Sequence, residues 1–466
     1  MGNELWRFGA ADLAAKLRNK EVKSREVVEA HLERIAAVNP GLNAVTVTLD
    51  ESALAAADAA DALAAKGGPL PPLHGVPMSV KENIDLVGSA TTQGIVAMAE
   101  AMPALDAPHV SQLKTAGAIP IARTNLPDFG MRWHSDNGLR GATINPWDRS
   151  LTPGGSSGGE AVALATGMTP LGLGNDYGGS LRWPSQCNGT AALRPTLGRV
   201  PAATSFEPAD SPMTLQLFAV QGPMARHVRD LRLAFEHMTA SDSRDPWYIP
   251  APMTGPAVSK KVACCIDPGG LGVDPDVAAG VAKAATALRD AGYEVEEVEL
   301  PAIEVARDTW YDLVMSELEI GLLPLLQQVA CPDALQFLGH SFAIRPRLDL
   351  AGYMMGFAQR SGIARAWTEF HERYPLVLGP VATIQPFPVG HDLAGSGQLA
   401  EILNGLRLVV LANLLGLPVA VVPVGVSNGL PQGVQLIGDR YREDLCLAAA
   451  EAIEDRFGVV TPIDPV

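Results

Sequence analysis

Three short stretches of this chain carry residue types able to do nucleophilic chemistry. In the first, Gly154-Gly155-Ser156-Ser157-Gly158 matches the G-x-S-x-G spacing of a nucleophile elbow, a serine on a sharp strand-to-helix turn. That geometry needs an apolar strand just before the turn. Here Asp148-Arg149-Ser150-Leu151-Thr152-Pro153 precedes it, and such a segment cannot be a central strand. The elbow also needs a later histidine, and nothing in the sequence ranks His227, His237, His340, His371 or His391 for that role. A plainer reading takes Ser157 and Glu160 as a capping box ahead of an apolar helix that Gly167 ends. Ser156 then stands just outside a helix N-terminus, where N–H groups and the helix dipole favour negative charge. That address suits a hydroxyl that must briefly lose its proton.

The second stretch is Gly172-Leu173-Gly174-Asn175-Asp176-Tyr177-Gly178-Gly179-Ser180. A dinucleotide-binding G-x-G-x-x-G would need glycine where Tyr177 stands, so that reading fails. The glycine pair before Ser180 suits a loop whose successive N–H groups converge on one point, an oxyanion cradle built without side chains. A tight glycine turn after a strand accounts for the same pair. The third feature is Lys81, which ends an alternating run in which Val76, Met78 and Val80 share one face and Ser79 the other. Lys81 falls on the Ser79 face. A lone lysine is most often a solvated charge.

The elements around these stretches are legible from periodicity and punctuation. Ser24 reads as the N-cap of a helix carrying Val27, Val28, His31, Leu32 and Ile35 and stopped by Asn39-Pro40. Residues 52–66 form a second, alanine-rich helix ending at Gly67-Gly68. Residues 76–80 and 118–122 read as strands. Residues 154–198 contain 11 glycines in 45 positions, against 46 in all 466, a density that marks sharp turns and close backbone approaches. Residues 239–260 are polar and proline-rich, a linker or long surface loop. From residue 261 the chain reads strand (262–266), turn, helix (276–291) and strand (293–300), a βαβ crossover that implies a parallel strand pair. Residues 418–423 and 433–437 are further buried strands. The whole is a mixed α/β protein around one large sheet.

Composition narrows the function classes. With 35 basic against 51 acidic residues the net charge is −16, and no Lys/Arg run interrupts it, which argues against nucleic acid and anionic membranes as partners. The 47% hydrophobic content excludes a disordered chain. Cys187, Cys264, Cys265, Cys331 and Cys446 form no CxxC pair and read as reduced core residues of a cytoplasmic protein, with no disulfide framework or metal site. Residues 1–7 lack the charged and apolar regions of a signal peptide, and Trp6 stands where a myristoylation signal beginning at Gly2 wants Ser or Thr. Residues 408–426 approach membrane length, but Asn413, Gly416, Pro418, Pro423 and Gly425 suit a buried helix followed by a core strand better than a membrane span.

Taken together, the three stretches resemble the amidase signature family of serine hydrolases. The matching residues are Gly154-Gly155-Ser156-Ser157-Gly158-Gly159, Gly174-Asn175-Asp176-Tyr177-Gly178-Gly179-Ser180-Leu181-Arg182 and Arg194-Pro195-Thr196-Leu197-Gly198-Arg199. Upstream, His74-Gly75-Val76-Pro77-Met78-Ser79-Val80-Lys81-Glu82-Asn83-Ile84-Asp85 is similar to the segment that holds the family's lysine. Gly222-Pro223-Met224-Ala225-Arg226 and Gly429-Leu430-Pro431-Gln432-Gly433-Val434-Gln435 extend the likeness to nearly the whole chain, with residues 311–364 least matched. Asn175 departs from the family's usual Thr, Trp183 from a smaller aliphatic and Arg123 from a frequent Lys. Glu160 and Trp183-Pro184-Ser185 look more like the fatty-acid-amide-hydrolase branch than the transamidosome glutaminase branch.

The resemblance implies an α/β amidase signature fold: a large twisted mixed β-sheet covered by helices on both faces. It implies a single amidase domain over 1–466, with a helical segment 1–68, a catalytic core 69–235 and a C-terminal α/β part 256–466 that includes a variable helical substrate-pocket region at about 305–375. It makes Ser180 the nucleophile, Ser156 the proton shuttle, which in the family follows a cis peptide, and neutral Lys81 the base. Backbone N–H groups of Tyr177, Gly178, Gly179 and Ser180 would form the oxyanion hole, with Ser157, Asp176 and Arg182 as supports behind them. Leu126, Phe129, Met131 and Trp133, just upstream of the first signature, are the expected substrate contacts, although core packing accounts for any one of them equally well. The implied reaction is hydrolysis of small or lipophilic acyl amides, including aryl amides and anilides, with carbamates (as in the family's urethanases) and esters within reach. No cofactor or metal is implied, and a monomer or homodimer is expected. The alternatives are a glutaminase subunit of a tRNA-dependent amidotransferase and a catalytically silent binding scaffold.

Overall fold

The computed structural model describes residues 4–206 and 211–466; Gly2 lies outside the described residues. Eleven strands form one sheet: β1 (Val45–Thr48), β2 (Pro77–Lys81), β3 (Ile119–Thr124), β4 (Leu171–Asp176), β5 (Ala191–Arg194), β6 (Val220–Ala225), β7 (Lys261–Cys264), β8 (Glu294–Glu297), β9 (Leu376–Pro380), β10 (Val419–Ser427) and β11 (Leu430–Gly438). Their spatial order is β1-β3-β2-β4-β6-β5-β10-β11-β9-β7-β8. Parallel pairs β3/β2/β4 lie toward one end and β9/β7/β8 at the other, joined by antiparallel neighbours through the middle. The sheet is therefore mixed, as expected.

Side-chain alternation gives the sheet two apolar faces. Met78, Val80, Leu171, Leu173, Leu193 and Val422 join one core, under helices such as Pro275–Asp290 and Glu443–Phe457. Ala192, Ala263, Val377 and Val421 join the other, under the buried helix Arg407–Leu415 and the helices between residues 303 and 373. Both faces are covered. That is why β10 reads as a near-continuous apolar run rather than an alternating one.

Element boundaries moved where a cap or proline decided them. The crossover helix is Pro275–Asp290, one residue earlier than periodicity gives, because Asp274 accepts the N–H of Asp276 (2.9 Å) and Val277 while Pro275 opens the helix. Its flanking strands β7 and β8 are indeed parallel, although shorter than the apolar runs suggested. Ser24 is not the N-cap: Lys23 is, its N–H donating to Glu26 at 2.8 Å. The buried Ser24 hydroxyl has no hydrogen-bond partner among the described residues, and the Ser24 N–H goes to Asp61 at 2.7 Å. Residues 408–426 form the buried helix and strand the sequence indicated. The helices Ser396–Gly405 and Arg407–Leu415 meet at 68°, and among the described residues no single helix is long and apolar enough to cross a membrane.

The helix Gly158–Ala165 is wholly buried and seats its first turn on the end of β3. A Cβ on Gly159 would lie 2.4 Å from Asn125 N and 2.7 Å from Ala44 O, both backbone atoms that cannot yield cheaply. Gly159→Ala is therefore expected to lower stability by about 1–3 kcal/mol. Gly362→Ala, in a helix with nothing within 4 Å of the added methyl, is expected to raise it by about 0.5–1 kcal/mol. Urea midpoints of the two variants check the pair of signs.

Candidate active site

Three loops converge at the C-terminal end of β2. The parallel register Ser79↔Gly172 and Val80↔Leu173 brings the ends of β2 and β4 together. Lys81 leaves β2 on the face opposite Val80 and is fully buried. Its Nζ lies 2.7 Å from Ser156 Oγ and 2.8 Å from Asn175 Oδ1. Burial lowers the Lys81 pKa to about 7; Asp176 and Glu160 pull the other way and lose. The amine is thus half neutral near physiological pH, which an exposed lysine never is.

Ser156 follows a cis Gly155–Ser156 peptide. Gly155 is required there because a Cβ would fall 2.5 Å from Arg132 O. The loops are tied by Ser157 N–H donating to the Ser180 carbonyl at 3.2 Å. Ser180 retains 6% exposure and Ser156 2%. Among the described residues no hydrogen bond joins Ser156 Oγ to Ser180 Oγ. Of the two contacts that a Lys–Ser–Ser relay would need, Lys81–Ser156 is present and Ser156–Ser180 is not closed in this structure.

The capping box expected from Ser157 and Glu160 is not made. Ser157 is the N-cap, but its buried hydroxyl has no hydrogen-bond partner among the described residues. Glu160 instead crosses to the sheet, accepting from Ser79 Oγ and from Thr124 Oγ1 (2.6 Å). Gly172 makes the room, since a Cβ there would meet the Glu160 carboxylate at 2.0 Å. Burial raises the Glu160 pKa to about 7, against the two hydroxyls, Lys81 and Arg123.

Asp176 shapes the glycine loop. Its carboxylate accepts from Arg182 Nε and Nη2 (2.9 and 3.0 Å), Asn413 Nδ2 (2.8 Å), and the N–H groups of Gly179 (3.0 Å) and Leu181 (3.2 Å). Burial alone would raise its pKa, but Arg182 and then Arg194 hold it well below the usual carboxylate range. Of the four N–H groups in the oxyanion reading, that of Gly179 is therefore already taken. The Gly178–Gly179 peptide is fixed the other way, its carbonyl taking the Trp133 indole N–H at 2.9 Å and its N–H committed to Asp176. Among the described residues the N–H groups of Tyr177, Gly178 and Ser180 have no hydrogen-bond acceptor. Gly179, at φ 101°, leaves space for Val409, whose Cγ1 would meet a Cβ at 2.4 Å.

The four expected substrate contacts separate. Leu126 is fully buried, its carbonyl accepting from Asn137 (2.6 Å) and its N–H held by the side chain of its neighbour Asn125 (3.0 Å). Trp133 is buried and braces the loop, donating to Gly178 and accepting the Trp183 indole N–H on its own carbonyl at 3.0 Å. Phe129 and Met131 are half-buried against the same apolar cluster as Tyr177, Leu322 and Phe357. Between them Gly130, at φ 71°, lies over Ser156, whose Oγ would be 3.1 Å from a Cβ. Trp310, just before the least-matched region, meets the Tyr177 ring edge-on at 6.1 Å. Asn83, Asn175 and Trp310 were missed as site residues, because no spacing rule connects positions that only strand register or a distant helix brings together.

The Amidase family model matches residues 26–447. The chain is 46% identical over 460 residues to an indoleacetamide hydrolase of Bradyrhizobium diazoefficiens, covering 98% of this chain and 88% of that one. It is 32% identical over 502 residues to a glutamyl-tRNA(Gln) amidotransferase subunit of Salinispora arenicola, covering 98% and 99%. Among solved structures, a bacterial aryl acylamidase of the amidase signature enzymes superposes with a TM-score of 0.84 at 26% identity, over 98% of this chain and 96% of that one.

The buried amine makes stability depend on pH with a definite sign. The folded pKa of Lys81 is lowered to about 7, so between there and the ordinary value of about 10.4 the unfolded chain binds the extra proton. Unfolding free energy therefore rises with pH across that window, at a slope approaching about 1.4 kcal/mol for each step of one in pH. Lys81→Met should be more stable than the parent at pH 7, with the gap closing toward pH 10. A gap independent of pH in urea titrations would refute the buried, depressed amine.

Proposed function

The chain belongs to the amidase signature family and is an amide-bond hydrolase; on that premise we propose that it works through an acyl-enzyme on Ser180, with Ser156 as proton shuttle and neutral Lys81 as base. The observation that carries this reading is the fully buried Lys81 Nζ at 2.7 Å from Ser156 Oγ. Serine is a weak nucleophile until a base takes its proton, and lysine is a base only when neutral. Ser156 passes its proton to Lys81 and takes that of Ser180, whose Oγ forms a bond to the amide carbon. The oxyanion settles against the N–H groups of Tyr177, Gly178 and Ser180, the Gly179 N–H being held by Asp176, each good donor being worth roughly 3 kcal/mol. Lys81 returns the proton through Ser156 to the leaving nitrogen as the C–N bond breaks. Water then attacks the acyl-enzyme by the same relay and the carboxylic acid leaves.

The substrate class is a neutral amide with a small aryl-bearing acyl group, of the indoleacetamide kind. Support comes from the 46% identity to the indoleacetamide hydrolase and from Phe129, Met131, Tyr177 and Trp310, apolar or aromatic groups around the serines. Carbamates and esters share the acyl-transfer route. The glutaminase reading has the weaker support of 32% identity, and the formed Lys81–Ser156 contact argues against a silent scaffold. All five cysteines are free and four are buried, which favours a cytoplasmic setting.

The purified chain alone is expected to hydrolyse indoleacetamide and aryl amides faster than glutamine or short aliphatic amides. Ser180→Ala should lose roughly 10⁴-fold in kcat and show no acyl adduct by mass spectrometry. Because the proton on Lys81 must be absent, kcat/KM should fall below about pH 7. Full turnover by Ser180→Ala would remove the nucleophile assignment, and glutaminase activity appearing only with added partner proteins would favour the alternative.

A further inference from the structure

Lys81 Nζ has two hydrogen-bonding neighbours among the described residues, and they differ in kind. Ser156 Oγ can donate or accept, whereas Asn175 Oδ1 can only accept. A neutral amine carries two N–H groups and one lone pair. An acceptor-only partner must take an N–H, which leaves the lone pair for the Ser156 hydroxyl. Were the Asn175 amide reversed, its NH₂ would compete for the lone pair that Ser156 needs. The Lys81 N–H sets the orientation and Asn83 pairs with it: the Asn83 Oδ1 accepts from Asn175 Nδ2 at 3.0 Å, and its own Nδ2 approaches Asn175 Oδ1 at 3.5 Å. A carbonyl oxygen toward lysine and an NH₂ toward Asn83 is thus the arrangement that satisfies both amides.

We propose that Asn175, locked by Asn83, is a positioning residue that turns the lone pair of the Lys81 amine toward Ser156. The inference rests on Lys81 being the base, and it assigns work to the residue by which this chain departs from the family's usual Thr. A threonine hydroxyl at this point could donate to the amine as readily as accept from it; an amide carbonyl held by a second amide cannot. Asn175 therefore removes a choice that a hydroxyl leaves open. The other charged groups around the amine are Asp176 on β4, Glu160 on the Gly158–Ala165 helix and Arg123 on β3, which donates to the Lys81 carbonyl at 3.1 Å. Asp176 and Glu160 are each held by their own donors, which leaves the Lys81 hydrogen bonds to Asn175 and Ser156.

Three variants test this against the parent and Lys81→Ala, with indoleacetamide as probe, full pH profiles, and a sulfonyl fluoride to count reactive Ser180. Asn175→Asp keeps the acceptor and shape but sets a negative charge against the amine. An adjacent opposite charge favours the ammonium, so the acidic limb of kcat/KM should move up by about 1–3 in pH. Asn175→Leu removes the acceptor and should lower kcat about ten- to a hundredfold, with KM little changed. Asn83→Leu leaves Asn175 in place but frees its amide, and should lower kcat in the same direction by less. An unmoved limb in Asn175→Asp, or parental kcat in both Leu variants, overturns the proposal. Lys81→Ala that retains turnover overturns instead the assignment of the base, and the proposal with it. Thermal melts, with Asn83→Leu as the second route to the same amide, separate loss of positioning from loss of fold.

Discussion

The structure turns on keeping one amine out of water without giving it a counter-charge. A fully buried ammonium is costly unless paired, and an unpaired one relieves the cost by releasing its proton. Lys81 is placed so that this relief is also its chemistry, because the hydrogen-bonding groups at its tip are a hydroxyl and an amide oxygen, neither of them charged. The sheet makes this possible. Covered on both faces, it can carry a side chain at the end of an interior strand and still bury it completely. An edge strand such as β1 or β8 could not have dried the site.

Two carboxylates lie close enough to undo the arrangement, and the fold disposes of both. Asp176 is held in a bidentate grip by Arg182, with Arg194 Nε 3.8 Å away. Its negative charge is thereby largely answered before it reaches Lys81. Glu160 is wrapped by Ser79 and Thr124 hydroxyls and pushed by burial toward the neutral acid. The same Asp176 grip also holds the Gly179 and Leu181 N–H groups, so one charge cluster protects the base and sets the loop that would receive the oxyanion.

Much of this was legible in sequence because it rests on local rules. Alternation from Val76 to Val80 placed Lys81 on the Ser79 face, and the structure puts it there. Glycine density marked the loops of the site, and the turn, helix and strand after residue 261 gave a parallel pair. What failed was non-local. The Ser157/Glu160 pattern has the spacing of a capping box, but the emptiness above Gly172, on another strand, gives Glu160 a better place to go. Leu126 and Trp133 could be read along the chain as pocket or as core residues, and only their contacts in space show them bracing the loops. Asn175 read only as a departure from a family pattern; its contact with Lys81 exists because β2 and β4 are parallel neighbours in a register no sequence window contains. The N–H groups assigned to an oxyanion hole were counted by position, whereas one of them is turned inward by a side chain three residues earlier.

The site is also continuous with the part of the chain that resembles its family least. The Tyr177 hydroxyl meets Thr214 Oγ1 at 2.6 Å, and Thr214 hydrogen-bonds the carboxylate of Glu317, which also takes the N–H groups of Met213 and Thr214 (both 2.7 Å) and the Tyr353 hydroxyl (3.2 Å). Glu317 ends the helix Ile303–Glu317, and Trp310 on that helix packs against Gly178 and Tyr177. The glycine loop is thus held from beneath by Asp176 and Arg182, within the matched core, and from its other side by helices of the divergent region. A change of side chains there cannot be confined to the surface an acyl group meets. Through Tyr177 and Trp310 it reaches the backbone donors as well, because a packed interior transmits displacement rather than absorbing it.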